Sequence, residues 1–344
     1  MLWVQNKNCV MIYFENKINI LENIFGAPGQ IRLGESSLKV ADKIYPIIDD
    51  VIILSEPDKY TDYVRSRLRV DEKKNSSLEN FSESIQHSFG SEWSKYDKIL
   101  PEEHEREFKE YFDLVNFKGL ENAVVCDLGC GNGRWSYFAR DKCRTLALVD
   151  FSDAIFVARK NLVDAGNCLF FMCDLKCLPF KTDFCDLLFS IGVLHHLPTP
   201  CLDEVRNLKK YSPKSLIYLY YALDNRPRYF RMMLKLVTAI RLGLSKIRSE
   251  AVRSIFVWLL TFIFYLPMIL LGRLMNMVSL GGYVPLYEAY HDKSLPRIRQ
   301  DVYDRFFTGI EQRVSRRQIS ELKDSFAKVV ISPNKPYWHF VCER

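Results

Sequence analysis

No two of the ten cysteines in this 344-residue chain are separated by only two residues. The tightest spacings, Cys126-x-x-x-Cys130 and Cys173-x-x-x-Cys177, lack the close pairing of a zinc ribbon. Buried free thiols in a reducing cytoplasm, with no metal, are the expectation. There is no GK[ST] phosphate loop. A GxGxxG dinucleotide fingerprint is also missing, because its third glycine would have to stand where Arg134 is. Met1 to Val10 has no basic start followed by an apolar run and a small-residue cleavage site, so no secretory leader is expected. No charged residue occurs from Ser254 to Gly272.

Hydrophobic residues make up 48% and charged residues 26% of the chain, a globular composition with a large core. The net charge of +6 is local. Between Arg226 and Arg253 stand eight Lys or Arg and one acid, Glu250, so the rest of the chain is nearly neutral. A basic patch confined to one segment, with no recognisable RNA-binding motif, predicts no nucleic-acid partner.

Val124-Val-Cys-Asp-Leu-Gly-Cys-Gly-Asn-Gly-Arg-Trp135 reads as strand, glycine turn and helix. The apolar run suits a strand buried on both faces of a parallel sheet. Glycines at 129, 131 and 133 let a ligand lie against the backbone, and the first helical amides face it. With an acidic residue at the strand end, this stretch resembles motif I of the class I S-adenosylmethionine-dependent methyltransferases. From Ala123 onward, strands and helices alternate, as in a parallel sheet covered on both faces. Strands are predicted at 145–149, 168–172, 184–190 and 215–221. Two late strands, 327–332 and 337–342, flank Pro333-Asn-Lys-Pro336 and form an antiparallel edge. Ser315 is read as the cap of the helix before them. The predicted fold is α/β: a Rossmann-like seven-stranded methyltransferase sheet with helices on both faces, a small N-terminal β-module and a helical insertion.

Residues 1–60 form the N-terminal module, with strands at Leu38–Val40 and on both sides of a turn at Asp49-Asp50. Tyr45-Pro-Ile-Ile-Asp-Asp-Val51 is similar to the small zinc-ribbon-like methyltransferase-activator module. Cys9 is the only cysteine there, so no zinc is expected. Residues 61–100 read as a linker and arm, in which Phe89 and Trp93 either cover the cofactor or pack in the core. Residues 101–344 form the catalytic domain, interrupted by the insertion at 226–300.

Ligands of such sheets sit beyond the carboxyl ends of the strands. The resemblance implies that Asp127, Gly129, Gly131 and Gly133 hold the methionine end of S-adenosylmethionine. It implies that Asp150 holds the ribose and Asp174 the adenine, with Phe151, Leu175 and Ser190 beside them. Val193-Leu-His-His-Leu197 matches the family's VLHHL stretch. His195 and His196 are the candidate catalytic residues: either could take a proton from a hydroxyl acceptor or be structural, and His195 is also a cofactor contact. Trp93, Tyr303, Asp304 and Arg305 are candidate substrate contacts.

The insertion has three readings: a membrane span, a helix lying on an anionic bilayer through 226–277, or a lid or dimer face. The acceptor is expected to be a small molecule, a glycan or lipid-linked, and the location cytoplasmic, with contact at the inner membrane face under the second reading. A cofactor-binding protein without catalysis and a nicotinamide-dependent oxidoreductase are the competing functions.

Overall fold

A computed structural model describes residues 13–70, 86, 90, 95–247 and 249–344. Cys9, Phe89 and Trp93 lie outside the described residues.

The chain begins with helix α1 (Ile18–Phe25) and strands β1 (Ile31–Leu33), β2 (Ser37–Val40), β3 (Lys43–Ile48) and β4 (Val51–Ile53). Helices α2 (Asp62–Leu68) and α3 (Pro101–Tyr111) follow. The catalytic core then alternates: β5 (Val124–Leu128), α4 (Arg134–Ala139), β6 (Thr145–Asp150), α5 (Ala154–Asn161), β7 (Cys168–Met172), β8 (Leu187–Ile191), α6 (Cys201–Leu208) and β9 (Lys214–Tyr218). Helix α7 (Arg228–Leu244) opens the insertion. Helix α8 (Glu250–Leu260) passes through a π-turn at Thr261–Tyr265 into α9 (Leu266–Asn276), and α10 (Leu295–Phe307) completes it. Helix α11 (Arg316–Ser320), β10 (Lys328–Ile331) and β11 (Phe340–Glu343) close the fold.

All strands join one sheet in the order β1-β2-β3-β4-β7-β6-β5-β8-β9-β11-β10. The seven expected strands are the run from β7 to β10, all in one direction except β11, which lies antiparallel between β9 and β10. The N-terminal strands do not stand apart as a module. They form an antiparallel meander whose last strand pairs parallel with β7, Val51 against Phe170, and so extends the catalytic sheet. The β3–β4 turn falls at Asp49-Asp50 as expected. Both residues have positive φ, the conformation of a turn that matches strand twist.

Strands β5 to β8 are buried throughout. Alternate side chains enter opposite cores. Val124, Cys126 and Leu128 pack with the layer under α6 and α11, and Val125 with the layer under α4 and α5. Each fully buried Leu, Val or Phe contributes about 1.5–3 kcal/mol. Ser315 caps α11 in a reciprocal box with Gln318. The insertion has its own core, built from Val257, Tyr265, Ile269, Val302, Tyr303 and Phe306. Pro267, which lacks an amide proton, stands just after the π-turn that has already broken the regular ladder.

Candidate active site

A cavity of about 350 Å³ opens beyond the carboxyl ends of β5, β6, β8 and β9 and runs beneath the insertion. It is within the usual range of small-molecule sites. At the sheet end it is lined by Gly129, Gly131, Asp150, Phe151, Leu175 and Val193.

The glycine turn is held by the next strand, since the Gly129 and Cys130 amides both donate to the Val149 carbonyl, at 2.8 and 3.1 Å. Gly129 has φ +81°, and a Cβ there would stand 2.5 Å from Val193. Gly131 donates its amide to Asp150 Oδ2 at 2.9 Å. Asp150 Oδ1 accepts from both the amide (2.9 Å) and the hydroxyl (2.7 Å) of Ser152. A carboxylate has about four acceptor positions, so one on Oδ2 is left to face the cavity. These residues fit a nucleoside: a carboxylate for a sugar hydroxyl, Phe151 and Leu175 for the faces of a base, and bare backbone at the turn.

Several residues assigned from the family resemblance lie elsewhere. Asp127 is not in the lining. It is buried under α4, where it accepts from Ser136 Oγ at 2.7 Å. Burial drives its pKa up to about 7, against the opposing Ser136 bond and with a further upward push from Asp150. Gly133 starts α4 with φ +79°, and its missing Cβ makes room for Ala158 of α5 and for Leu162 just after it. Asp174 points away from the cavity, capping a short turn at the Lys176 amide and pairing with Lys59 at 3.2 Å. Ser190 is buried and donates to the Leu128 carbonyl at 2.9 Å, joining β8 to β5.

Neither histidine lines the cavity. His195 is fully buried, its ring 3.9 Å from that of Tyr220. Burial, His196 and Arg313 hold it well below the usual histidine range, so it is neutral at pH 7 and a poor proton acceptor. His196 donates from Nδ1 to the Ile310 carbonyl at 2.7 Å, which fixes its ring. Both brace the segment after α10 rather than face a ligand.

Of the substrate candidates on α10, Asp304 and Arg305 line the cavity and Tyr303 does not. The Tyr303 hydroxyl is occupied within the insertion by Arg253 (3.0 Å) and Glu250 (2.8 Å). Asp304 accepts from Tyr220 at 2.5 Å and from Thr308 at 3.1 Å. Burial and the adjacent Asp304 carboxylate push the Tyr220 phenol well above its ordinary value, so it stays a neutral donor.

Sequence reasoning missed Tyr220, Tyr221, Glu107, Arg297 and Asp301, which also line the cavity. The first two had a usable signal, since they stand at the carboxyl end of the predicted strand 215–221, which faces the crevice. Glu107 of α3 had none. It meets Lys293 at 2.5 Å and Arg297 at 3.3 Å, across a long separation in sequence. Burial alone would raise its carboxyl, but Arg297, Lys293 and Arg134 hold it far below the usual range. This buried cluster clamps the insertion onto the catalytic domain. Breaking such a pair typically costs about 3–5 kcal/mol. Among the described residues, no three His, Cys, Asp or Glu come together as a metal site.

Comparison with known proteins bears on the same region. Residues 125–210 match the family described as "Methyltransferase domain". A tRNA (carboxymethyluridine(34)-5-O)-methyltransferase of Xenopus tropicalis is 31% identical over 126 residues, 32% of this chain and 18% of its own. The mouse enzyme of that name is 30% identical over 108 residues, 28% of this chain and 15% of its own. The chain thus spans less than a fifth of the length of these relatives. Among solved structures, a phosphoethanolamine N-methyltransferase of Haemonchus contortus is 17% identical, with a TM-score of 0.35 over 42% of this chain and 34% of that one. The names of the curated relatives overturn the expectation that nucleic acid plays no part, which rested on the confinement of positive charge to one segment. The matched stretch carries the glycine turn, the Asp150 carboxylate and the sheet order around them, and the chain bears a class I S-adenosylmethionine-dependent methyltransferase domain.

Proposed function

We propose that the chain transfers the methyl group of S-adenosylmethionine to a flat, hydrogen-bonding acceptor held between the end of β9 and the insertion. The observation that carries this reading is the continuity of one cavity from the glycine turn to Tyr220 and Asp304. S-adenosylmethionine, when bound, supplies a methyl carbon on a positively charged sulfur. Gly129, Gly131, Asp150, Phe151 and Leu175 would hold it. The rate then depends on aligning acceptor and methyl carbon, and that is the work of the surrounding walls.

The acceptor end carries Tyr218, Tyr220, Tyr221 and Phe230 among alternating charges, including Arg305, Arg313, Asp301 and Asp304. Aromatic walls suit a ring, and the charged groups suit its polar substituents. Asp304 is placed to accept a hydrogen bond or a proton from that ring, with Tyr220 and Thr308 fixing its orientation. A nucleoside of RNA has this chemistry, and the names of the curated relatives put tRNA first among acceptors to try. The nine described cysteines are all free, which fits work in a reducing compartment.

The test is methyl transfer from labelled S-adenosylmethionine into bulk tRNA, and in parallel into a small-molecule extract. Label released from tRNA as a methylated nucleoside is the expected result. Label in the extract alone would sink the nucleoside assignment but keep the methyltransferase. S-adenosylhomocysteine binding with no transfer to either would leave a cofactor-binding protein without catalysis.

A further inference from the structure

Of the twenty-four exposed large apolar side chains among the described residues, eighteen lie between Tyr229 and Tyr283. Apolar residues scattered singly over a surface need no explanation, but a concentration in one segment marks a contact site. Helix α7 shows why the exposure is built in. Its inner stripe, Phe230, Met233, Leu234 and Val237, lines the cavity. Its outer stripe, Met232, Leu236 and Ile240, is exposed by 72%, 65% and 42%. Both stripes follow helical spacing, so the two faces of the helix are apolar for different reasons.

The continuous helix α8–α9, Glu250–Asn276, repeats the pattern. By length and composition it could cross a membrane, at 27 residues or ~40 Å. One of its faces, however, is committed. Val257, Thr261, Tyr265 and Ile269 are buried, in the core shared with α10. The Arg253 guanidinium is buried on the same side, bonded to the Ile247 carbonyl at 2.7 Å and the Tyr303 hydroxyl at 3.0 Å. Crossing a bilayer would strip these partners from a buried cation. The opposite face, Ile255, Leu259, Phe262, Ile263, Leu270 and Leu274, is exposed by 46% to 71%.

We propose that this outer surface of α7 and α8–α9 docks on an anionic lipid bilayer, with the helices lying in the headgroup plane and not crossing it. Charge selects the occupant. Arg228, Arg231, Lys235 and Lys246 are exposed, and none takes part in an ion pair among the described residues. From Arg226 to Leu280 the sequence holds nine basic residues and one acid. A second copy docked through a twofold axis would set this positive surface against itself. Nucleic acid would use the cations but has no partner for a row of Leu, Ile and Met. A bilayer with anionic headgroups takes both. The cavity lies on the other side of α7, so docking leaves the acceptor site unobstructed.

Flotation of the full chain with phosphatidylcholine vesicles, with and without phosphatidylglycerol, tests this. Binding is expected only with the anionic lipid, weakened by salt and reversed by alkaline carbonate. Arg231→Glu with Lys235→Glu should weaken vesicle partitioning roughly tenfold or more. Leu236→Glu with Ile263→Glu should abolish it. All four side chains are exposed, so melting temperature and S-adenosylhomocysteine binding should not move in either variant. Absence of flotation with anionic vesicles overturns the proposal. So does flotation that survives alkaline carbonate, which means a span. A dimer dissociated by Leu236→Glu, without vesicle binding, overturns it in favour of a second copy. tRNA retention lost in the charge-reversed variant, without vesicle binding, overturns it in favour of nucleic acid.

Discussion

Replacing Gly129 with alanine tests the geometry of the cofactor turn with one methyl group. The added Cβ would stand 2.5 and 2.6 Å from the two γ-carbons of Val193 and 3.0 Å from its Cβ. Val193 is β-branched and stiff at χ1, so it cannot rotate its methyls clear. Overpacking of this kind costs about 1–3 kcal/mol. The backbone adds to it, because Gly129 sits at φ +81° and a left-handed conformation costs an L-residue ~1–2 kcal/mol. Together these predict a loss of roughly 2–5 kcal/mol, a large part of the ~5–15 kcal/mol typical of a folded domain. Urea unfolding followed by circular dichroism measures it. S-adenosylhomocysteine binding should fall in step, because Gly129 and Val193 both line the cavity. The two contributions separate in a double-mutant cycle. Val193→Ala beside Gly129→Ala should recover the packing part and leave the backbone part. A loss below about 1 kcal/mol in the single variant, or no coupling in the cycle, would refute the reasoning.

Three further outcomes can be measured. Asp150→Ala should weaken S-adenosylhomocysteine by about 1.5–3 kcal/mol in calorimetry, since a charged acceptor at the turn is lost; unchanged affinity in a folded protein would exclude the assignment. Asp304→Asn should lower kcat about a hundredfold while leaving cofactor affinity intact, the signature of a group that handles the acceptor's proton; an unchanged kcat would leave Asp304 only a structural partner of Tyr220. Asp127 has a folded pKa raised to about 7, so its contribution is present below the unfolded carboxylate value and is lost as pH rises through 7. Asp127→Asn keeps an acceptor for Ser136 and should therefore flatten the stability profile between pH 4 and 7, as read by chemical denaturation; a profile identical to the parent would contradict the shift.

The core of the fold could be read in the sequence because buried parallel strands are short apolar runs and the first of them ends in glycines. The family resemblance named Gly129, Gly131, Asp150, Phe151 and Leu175, which line the cavity. It stumbled over direction. Side chains alternate along a strand, so Asp127 shares a face with Val125 and goes under α4, although it is adjacent in sequence to the turn. Asp174 follows the strand by two residues, and its orientation is set by Lys59, a partner far away in the chain. His195 and His196 looked reactive because histidine titrates near neutrality; burial removes that property from His195, and His196 is turned to the Ile310 carbonyl and does not line the cavity. The cavity's far wall depends on how α10 packs against α3, through Glu107 and Arg297, and no local pattern encodes such a pairing. The three readings of the insertion could not be separated by composition, since a stripe packed on protein and a stripe left bare are equally apolar.

The pairing of β4 with β7 has a consequence for how the chain is made. Val51 aligns with Phe170, so the strand synthesised early finds its neighbour only after 119 more residues have been added. At bacterial to eukaryotic synthesis rates of about 5–20 residues per second, that is a wait of roughly 6–24 seconds. Through that interval the wholly buried strand Val51–Ile53 has β3 on one edge and no neighbour on the other. The early meander must hold its register by local pairing alone, β1 on β2 on β3, until the ribosome delivers Cys168–Met172. Non-local pairings of this kind form late and leave a hydrophobic edge open in the meantime. Substitutions that weaken the Asp49-Asp50 turn should therefore lower the yield of folded protein during synthesis more than they lower the stability of the finished molecule.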